Sequence, residues 1–154
     1  MIIKEIYDEQ EKKEISTSIL ESLPNWFGIQ ESTQEYINKS SYLPFFAAIN
    51  ESKPLGFISI KENNQYTSEI YVMGVLPNCH NQGIGTSLIN RVLLWAKEKG
   101  YEYLQVKTLD ESHPDFYYAK TRKFYTSVGF KPLECLPELW GRENPCLIMI
   151  QRLV

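Results

Sequence analysis

The chain has 154 residues, of which 43% are hydrophobic, 13% aromatic and 23% charged. This length fits a single domain over residues 1–154, and the apolar content excludes a disordered chain. The 16 basic and 19 acidic side chains give a net charge of −3. Because nucleic-acid-binding proteins usually carry a basic excess, this balance argues against a nucleic-acid partner.

The few cysteines and histidines limit the cellular location and the chemistry. Cys79, Cys135 and Cys146 are far apart and form no C-x-x-C, which favours reduced thiols in the cytoplasm over a disulfide framework. His80 and His113 build no zinc-binding spacing, so no metal is expected. No apolar run approaches the ~20 residues of a membrane span, and the N-terminus lacks the core of a signal peptide. We therefore predict a cytoplasmic protein without a membrane or metal partner.

Hydrophobic periodicity and turn residues divide the chain into alternating strands and helices. The predicted elements are a strand at 2–7, helices at 8–23 and 32–40, strands at 45–50, 55–61 and 67–75, a helix at 83–99, a strand at 102–108, a helix at 115–128, and strands at 130–136 and 146–152. Ser32, followed by Glu35, has the pattern of a capping box at the start of the second helix. The strand–helix–strand unit at 67–108 predicts two parallel strands.

These elements predict the fold class. Their order is βααβββαβαββ. An antiparallel meander followed by a crossover unit gives a mixed, mostly antiparallel sheet of about seven strands, flanked by about four helices. The expected architecture is therefore an α/β (α+β) domain with helices packed on a central sheet.

The segment at 75–86, Val-Leu-Pro-Asn-Cys-His-Asn-Gln-Gly-Ile-Gly-Thr, is the most informative part of the sequence. It leaves a strand, turns on Gly83 and Gly85, and begins a long helix. Successive N–H groups and the positive end of the helix dipole make such a turn an anion site suited to a pyrophosphate. No lysine follows either glycine, which excludes a P-loop, and the third glycine of a dinucleotide fingerprint is missing. We interpret the segment as a phosphate-binding turn rather than a turn that binds nothing.

Two motifs resemble those of the GNAT superfamily of acetyl-CoA-dependent N-acetyltransferases. Residues 80–85, His-Asn-Gln-Gly-Ile-Gly, are similar to its signature Gln/Arg-x-x-Gly-x-Gly/Ala, with His80 where Gln or Arg is usual. A second signature, Phe-Tyr-x-x-x-Gly-Phe, occurs at 124–130. The resemblance implies transfer of an acetyl group from acetyl-CoA to a primary amine of a small molecule or peptide, by direct attack in a ternary complex. It also permits a homodimer.

The resemblance further implies where the coenzyme lies. The glycine turn would hold the pyrophosphate through its backbone, and the pantetheine arm would enter a gap beside the strand at 67–75. The backbone N–H of Val75 would donate to the thioester oxygen, and Tyr118 stands where the family often has Asn. The expected coenzyme-binding residues are Met73, Val75, His80, Asn81, Gln82, Gly83, Ile84, Gly85, Thr86, Thr108 and Tyr118.

Two residues are candidates for proton transfer, because an ammonium must lose a proton and a leaving thiolate gains one. Glu69 stands where the histone-acetylating members have a Glu, and alternation along the strand places it on one face with Tyr71, Met73 and Val75. Glu69 is either the base or an ordinary solvent-facing carboxylate, and Tyr71 is the alternative to it, as a hydrogen-bond partner of the amine or a member of a water chain. Tyr125 matches the family position whose hydroxyl lies near the coenzyme sulfur, and it is either the acid or a core tyrosine.

The acceptor pocket is expected, from the resemblance, between the early helices and the last hairpin. Trp26 and Phe27 in one loop, Trp140 in another, and Tyr71 are the candidate substrate-binding residues, with core packing as the alternative. The net charge does not choose among a polyamine, an aminoglycoside and a lysine. The alternative to an enzyme is a non-catalytic regulatory module that binds acetyl-CoA or CoA.

Overall fold

The computed structural model describes residues 1–154, which form seven strands and four helices around one central sheet. Their order, βααβββαβαββ, confirms the predicted fold class. A short 3-10 turn at Pro77–Cys79 precedes the third helix. The elements are β1 Ile2–Glu5, α1 Glu9–Glu21, α2 Gln30–Ser40, β2 Phe45–Asn50, β3 Lys53–Glu62, β4 Thr67–Val75, α3 Ile84–Glu98, β5 Tyr103–Leu109, α4 Phe116–Ser127, β6 Lys131–Leu136 and β7 Cys146–Arg152.

The strands lie in the order β1-β2-β3-β4-β5-β7-β6. Only β4 and β5 are parallel neighbours, as the crossover unit predicts, and the other pairs are antiparallel. The β4–β5 ladder runs from Thr67 opposite Tyr103 to Ile70 opposite Val106 and ends there, although both strands continue. The sheet therefore opens between two of its central strands.

A hydrophobic core covers each face of the sheet. On one face, Leu88 and Val92 of α3 and Tyr125 of α4 pack on the sheet. On the other face, Ile19 and Leu20 of α1 belong to a second core. Burying one large apolar side chain contributes about 1.5–3 kcal/mol. The two layers therefore hold the strands in place, and packing on either side keeps the gap between β4 and β5 open. No helix combines the length and apolar composition that a membrane crossing requires.

A β-bulge in β4 changes which way its side chains point. Ile60 of β3 lies opposite Ile70, but its neighbour Ser59 lies opposite Val72, so Tyr71 is the extra residue. Ile70 consequently packs in the core beneath α3, whereas Val72 packs in the core beneath α1. Without the bulge, residues 70 and 72 would share one face.

The bulge corrects one prediction about the site. Glu69 and Tyr71 lie on the face that α1 and α2 cover, whereas Met73 and Val75 contact the core beneath α3. The prediction that strict alternation places all four on one face is therefore wrong, because the extra residue reverses the pleat between them.

The start of α2 also differs from the prediction. The helix begins at Gln30, with Ile29 as its N-cap and no side-chain capping hydrogen bond, so the predicted capping box at Ser32 is wrong. Thr33 Oγ1 instead donates to the carbonyl oxygens of Phe27 and Ile29, at 3.2 and 3.1 Å. The loop before α2 is thereby held against the helix, and Ser32 faces a cavity.

Candidate active site

A cavity of about 930 Å³ lies in the gap between β4 and β5. Its walls come from both sides of the sheet: the α1–α2 loop and α2 on one side, and the start of α3 and α4 on the other. Glu69 and Gln82 are the two predicted site residues that do not line it. The predicted residues that line it are Trp26, Phe27, Tyr71, Met73, Val75, His80, Asn81, Gly83, Ile84, Gly85, Thr86, Thr108, Tyr118, Tyr125 and Trp140.

The glycine turn forms one end of this cavity. Asn81 and Gly83 have φ values of +62° and +81°, and Gly83 is the N-cap of α3. The first amides of α3 have no acceptor within the helix and remain free for an anion. A Cβ at Gly83 would meet no atom within 4 Å, whereas one at Gly85 would lie 3.0 Å from Phe124 Cζ. The turn is thus open towards the cavity and tight against α4.

Backbone amides line the gap itself. The N–H of Leu76 donates to the carbonyl of Leu55 on the β3 side, at 2.9 Å. Successive amides along a strand point to opposite sides, so the N–H groups of Val75 and Met73 point towards β5. Because the β4–β5 ladder has ended at Ile70, these amides have no strand partner. They are placed to donate to a ligand in the gap, as expected for Val75.

His80 reaches into the same gap. Its Nε2 lies 2.7 Å from the carbonyl oxygen of Val75, so Nε2–H donates and this contact fixes the tautomer. The imidazole also makes an edge contact with Trp26, at 5.7 Å between ring centroids. Gln82 instead donates to the carbonyl of Asn78 at 3.2 Å and braces the turn. Its side chain is turned away from the cavity.

Tyr125 combines packing with a cavity position. Its ring lies 5.5 Å from that of Phe124 and 5.6 Å from that of Phe130, and the residue is buried. Burial raises the pKa of Tyr125 well above its usual value. A tyrosine hydroxyl is protonated at neutral pH with or without this shift, so Tyr125 can donate a hydrogen bond or a proton to a group in the cavity.

Two buried polar atoms on the cavity wall have no partner in the protein. They are Thr108 Oγ1 at the end of β5 and His113 Nδ1 in the loop before α4. A buried polar group without a hydrogen bond is costly, so both atoms are suited to a ligand or to water. Thr108 was predicted to contact the coenzyme. His113 was missed, because its loop has the sequence of a solvated turn.

Glu69 is buried beside the cavity and is not solvent-facing. Its Oε1 accepts hydrogen bonds from Asn63 Nδ2 at 2.9 Å, Gln105 Nε2 at 2.8 Å and Lys107 Nζ at 3.1 Å. Lys107 Nζ also lies 3.2 Å from Oε2, and Lys61 Nζ lies 3.9 Å from the same oxygen. A carboxylate with these partners satisfies the rule that buried charges are paired.

Lys107 connects this cluster to the cavity, which it lines. Sequence reasoning did not single it out. Two features could have identified Lys107. It lies in a strand between two buried residues, Val106 and Thr108, and it comes one position after the last β4–β5 pair. Its side chain lies on the Glu69 face, because Gln105, two residues earlier, is in register with Glu69.

The α1–α2 loop is tied to α4 at the other end of the cavity. Trp26 Nε1 donates to Thr121 Oγ1 at 3.0 Å and to the carbonyl of Tyr117 at 3.3 Å. The hydroxyl of Tyr118 donates to the carbonyl of Trp26 at 3.0 Å. Burial raises the pKa of Tyr118 to about 12, so this donor persists at neutral pH. The bridge joins elements from the two faces of the sheet.

Aromatic rings continue this end of the cavity. Tyr36 lies between Phe27 and Tyr71, with centroid distances of 5.8 and 5.3 Å. Burial raises the pKa of Tyr71 to about 12, so its hydroxyl is protonated at neutral pH. Trp140 adds a half-exposed indole from the loop before β7. Tyr36 was not singled out from the sequence, where it is one residue within a predicted helix.

Comparison with known proteins gives a family. The sequence model of the Acetyltransferase (GNAT) family matches residues 3–130, which is more than half of the chain. No curated protein sequence matches the chain. No group of three or more His, Cys, Asp or Glu side chains is placed to hold a metal ion.

Solved structures share the fold at low sequence identity. A GNAT-family protein from Desulfovibrio desulfuricans is 18% identical, with a TM-score of 0.84 and coverage of 99% of each chain. An aminoglycoside 6'-N-acetyltransferase complexed with coenzyme A is 19% identical, with a TM-score of 0.77 and coverage of 100% of this chain and 98% of that one. A GNAT-family acetyltransferase from Elizabethkingia anophelis with acetyl-CoA bound is 20% identical, with a TM-score of 0.69 and coverage of 88% and 89%.

Proposed function

The chain belongs to the GNAT family of acetyltransferases, and on that premise we propose that it transfers an acetyl group from acetyl-CoA to a primary amine in a ternary complex. Residues 1–154 act as one catalytic domain in this proposal. The observation that carries it is the gap between β4 and β5, where unpaired amides continue into the glycine turn of α3. An extended pantetheine arm fits such a gap as a strand would, with the pyrophosphate on the amides at 81–86.

The two chemical requirements at the thioester are met by separate groups. The amine nitrogen attacks the thioester carbonyl carbon, and the carbonyl oxygen gains charge that the Val75 N–H stabilises. The carbon–sulfur bond then breaks, and the departing thiolate takes a proton from the Tyr125 hydroxyl. The proton that the attacking nitrogen releases on forming the amide returns to Tyr125 through water. Tyr125 is placed for this role because it lines the cavity and carries its proton at neutral pH.

Deprotonation of the amine involves the cluster around Glu69. Both carboxylate oxygens already accept hydrogen bonds from Lys107, so the proton reaches Glu69 through a water molecule rather than by direct contact. Tyr71, whose hydroxyl lines the acceptor end, is a second candidate for that water chain. In this proposal Glu69 remains the base, although it does not line the cavity.

The acceptor lies among the aromatic side chains of the α1–α2 loop, α2 and the loop before β7. The apolar surface of Trp26, Phe27, Tyr71 and Trp140 supports the binding of a small molecule or a peptide side chain. Aminoglycoside acetyltransferases share the fold, at 19% identity for the protein crystallised with coenzyme A. That likeness does not transfer their substrate.

Two measurements on the purified protein test the proposal. Acetyl-CoA should raise the melting temperature, and a panel of primary amines should release free thiol from acetyl-CoA at a rate that depends on the amine. Binding without thiol release from any amine would favour a non-catalytic coenzyme-binding module. Absence of both effects would refute the proposal.

A further inference from the structure

The charges around the acceptor end are mainly positive, although the whole chain is acidic. Two ammonium groups lie near Tyr71, because Lys39 Nζ and Lys61 Nζ are 5.6 and 5.9 Å from its ring centroid, just outside the cavity lining. A third ammonium group belongs to Lys107, which lines the cavity itself. Two carboxylates are nearby, Glu69 and Glu35, and the charge of Glu35 contributes to the raised pKa of Tyr71. Three cations therefore face two anions.

Two carboxylates of the site, those of Glu69 and Asp115, are already bound to protein groups. Glu69 is held by Lys107 and lies 3.9 Å from Lys61, so one carboxylate serves two lysines. Asp115 is the one acidic residue that lines the cavity, and its Oδ1 accepts from the amides of Tyr117 and Tyr118 as the N-cap of α4. Glu35 is unpaired but exposed and outside the cavity lining, so no carboxylate that lines the cavity is free for an ammonium-rich ligand.

The lysines, in contrast, have unused donors. Lys39 forms no ion pair, and Lys61 is only loosely paired, with 34% of its side chain exposed. An ammonium carries three N–H donors in a compact charge. Because both ammonium groups lie within 6 Å of the ring of Tyr71, which lines the cavity, they give the rim of the acceptor end a positive charge suited to an anion.

From this charge pattern we infer that the acceptor is a primary amine that carries its own carboxylate next to an apolar or aromatic group, as in an α-amino acid, and not a polycation. The carboxylate lies between Lys39 and Lys61, and the apolar group packs on Phe27, Tyr36 and Tyr71. This inference rests on the proposed acetyltransferase activity and specifies its substrate class.

The same charges help the reaction. A positive group near an amine disfavours the protonated form of that amine, so the lysine rim increases the neutral fraction that can attack the thioester. A polycation would meet repulsion at each of its charges, whereas an amine with a carboxylate brings a compensating negative charge. The rim thus selects the acceptor and favours its reactive form.

Thiol release from acetyl-CoA tests this with matched acceptors. Phenylalanine and phenylalanine amide differ in the carboxylate alone, and spermidine and kanamycin represent the polycations. We expect phenylalanine to exceed its amide in kcat/KM by roughly 10-fold, the scale of two partly exposed ion pairs, and to exceed both polycations. Equal values for phenylalanine and its amide, or a polycation as the best acceptor, would overturn the inference while leaving the acetyltransferase proposal intact.

Variants of the rim locate the effect. In the double variant Lys39→Gln/Lys61→Gln, the KM for phenylalanine should rise by roughly 3- to 10-fold, and the preference over the amide should largely disappear. Lys97→Gln, an exposed lysine on α3, is the matched control and should keep the preference. A preference that survives the double variant would show that these lysines do not bind the carboxylate. If acetyl-CoA binds but no acceptor of any class reacts, the proposed activity and the inference both fail.

Discussion

The two ends of the cavity are built in different ways. In the proposed placement, the coenzyme end is formed mainly by one continuous segment, residues 75–86, with Met73, Thr108 and Tyr118 beside it, and it offers mostly backbone groups. The acceptor end is assembled from side chains of the α1–α2 loop, α2, β4, β5 and the loop before β7. Backbone amides are the same in every sequence, whereas side chains can be exchanged one at a time. Coenzyme recognition therefore depends on conformation, and acceptor recognition depends on residue identity.

The largest effect on coenzyme binding is expected at the glycine turn, where the backbone conformation alone determines recognition. Gly83→Val places a β-branched residue at φ +81°, which disturbs the turn although there is space for the side chain. At a coenzyme concentration of about 100 times Kd, the wild type should gain roughly 2.7 kcal/mol from acetyl-CoA. The variant should lose this gain, measured as the shift in melting temperature.

Gly100→Val is the matched control for that variant. Gly100 also has a positive φ, +87°, with no atom within 4 Å of a Cβ, but it follows α3 at the far end from the cavity. Both variants should lose stability, and only Gly83→Val should lose the response to acetyl-CoA. An undiminished response in Gly83→Val would refute the placement of the pyrophosphate.

A large effect on turnover is also expected at the acceptor end, from removing the charge of Glu69. Glu69→Gln keeps the size of the side chain but removes its proton affinity, so turnover at pH 7 should fall by roughly 100-fold. Raising the pH towards the pKa of the amine should restore much of the loss, because the acceptor then arrives deprotonated. The pH dependence of kcat/KM measures this.

A parallel pH profile in Glu69→Gln and the wild type would instead assign Glu69 a positioning role. The carboxylate would then hold Lys107 at the cavity wall, and the loss would not depend on the protonation of the acceptor. Glu98→Gln, an exposed acidic position on α3, controls for the change in net charge.

Tyr125 joins the two ends, and its variant should have an intermediate effect. Tyr125→Phe keeps the ring packing but removes the proton donor, so turnover should fall by roughly 10- to 100-fold with little change in coenzyme affinity. Because burial raises the pKa of Tyr125, the wild-type rate should show no loss of this donor between pH 7 and about pH 10. The control variant Tyr103→Phe, which alters an exposed tyrosine, should change neither turnover nor coenzyme affinity. Unaltered turnover in Tyr125→Phe would leave the residue a packing role.

The smallest effect is expected at the bridge between the α1–α2 loop and α4. Trp26→Phe removes the hydrogen bonds to Thr121 and Tyr117, which should cost about 1 kcal/mol, or roughly 2–4 °C in melting temperature. Thr121→Val removes one of the two acceptors of the Trp26 indole, on the α4 side of the bridge. If the bridge exists in solution, the double variant should lose less than the sum of the single losses. Additive losses would mean that the two side chains do not interact.

The sequence located the glycine turn and most of the cavity-lining residues, but not the cluster around Glu69, for a physical reason. Gly83 and Gly85 act within one strand-to-helix turn, so their meaning is local and can be recognised from spacing. The strand β4 and the helix α3 were likewise predicted from periodicity within each segment. The partners of Glu69 are distant in the chain, because Lys107 lies 38 residues away and is brought close only by the sheet register.

The bulge at Tyr71 illustrates what periodicity cannot reveal. Hydrophobic alternation assumes a constant pleat, and the glycine in β4, Gly74, lies three residues past the bulge and does not mark its position. The pairing with β3 decides where the extra residue goes. The faces of Glu69 and Met73 therefore could not be derived from β4 alone, although both were identified as site residues.

Because of the same extra residue, β4 tolerates substitutions better than changes in its length. Deleting one residue between Ile70 and Val72 would restore an even pleat, turning either the Glu69 half or the Met73 half of the strand inside out. Substitutions within the acceptor half, in contrast, leave the coenzyme half in register. In descendants of this chain, acceptor preference can therefore change by point substitution, whereas insertions and deletions in this strand should be eliminated.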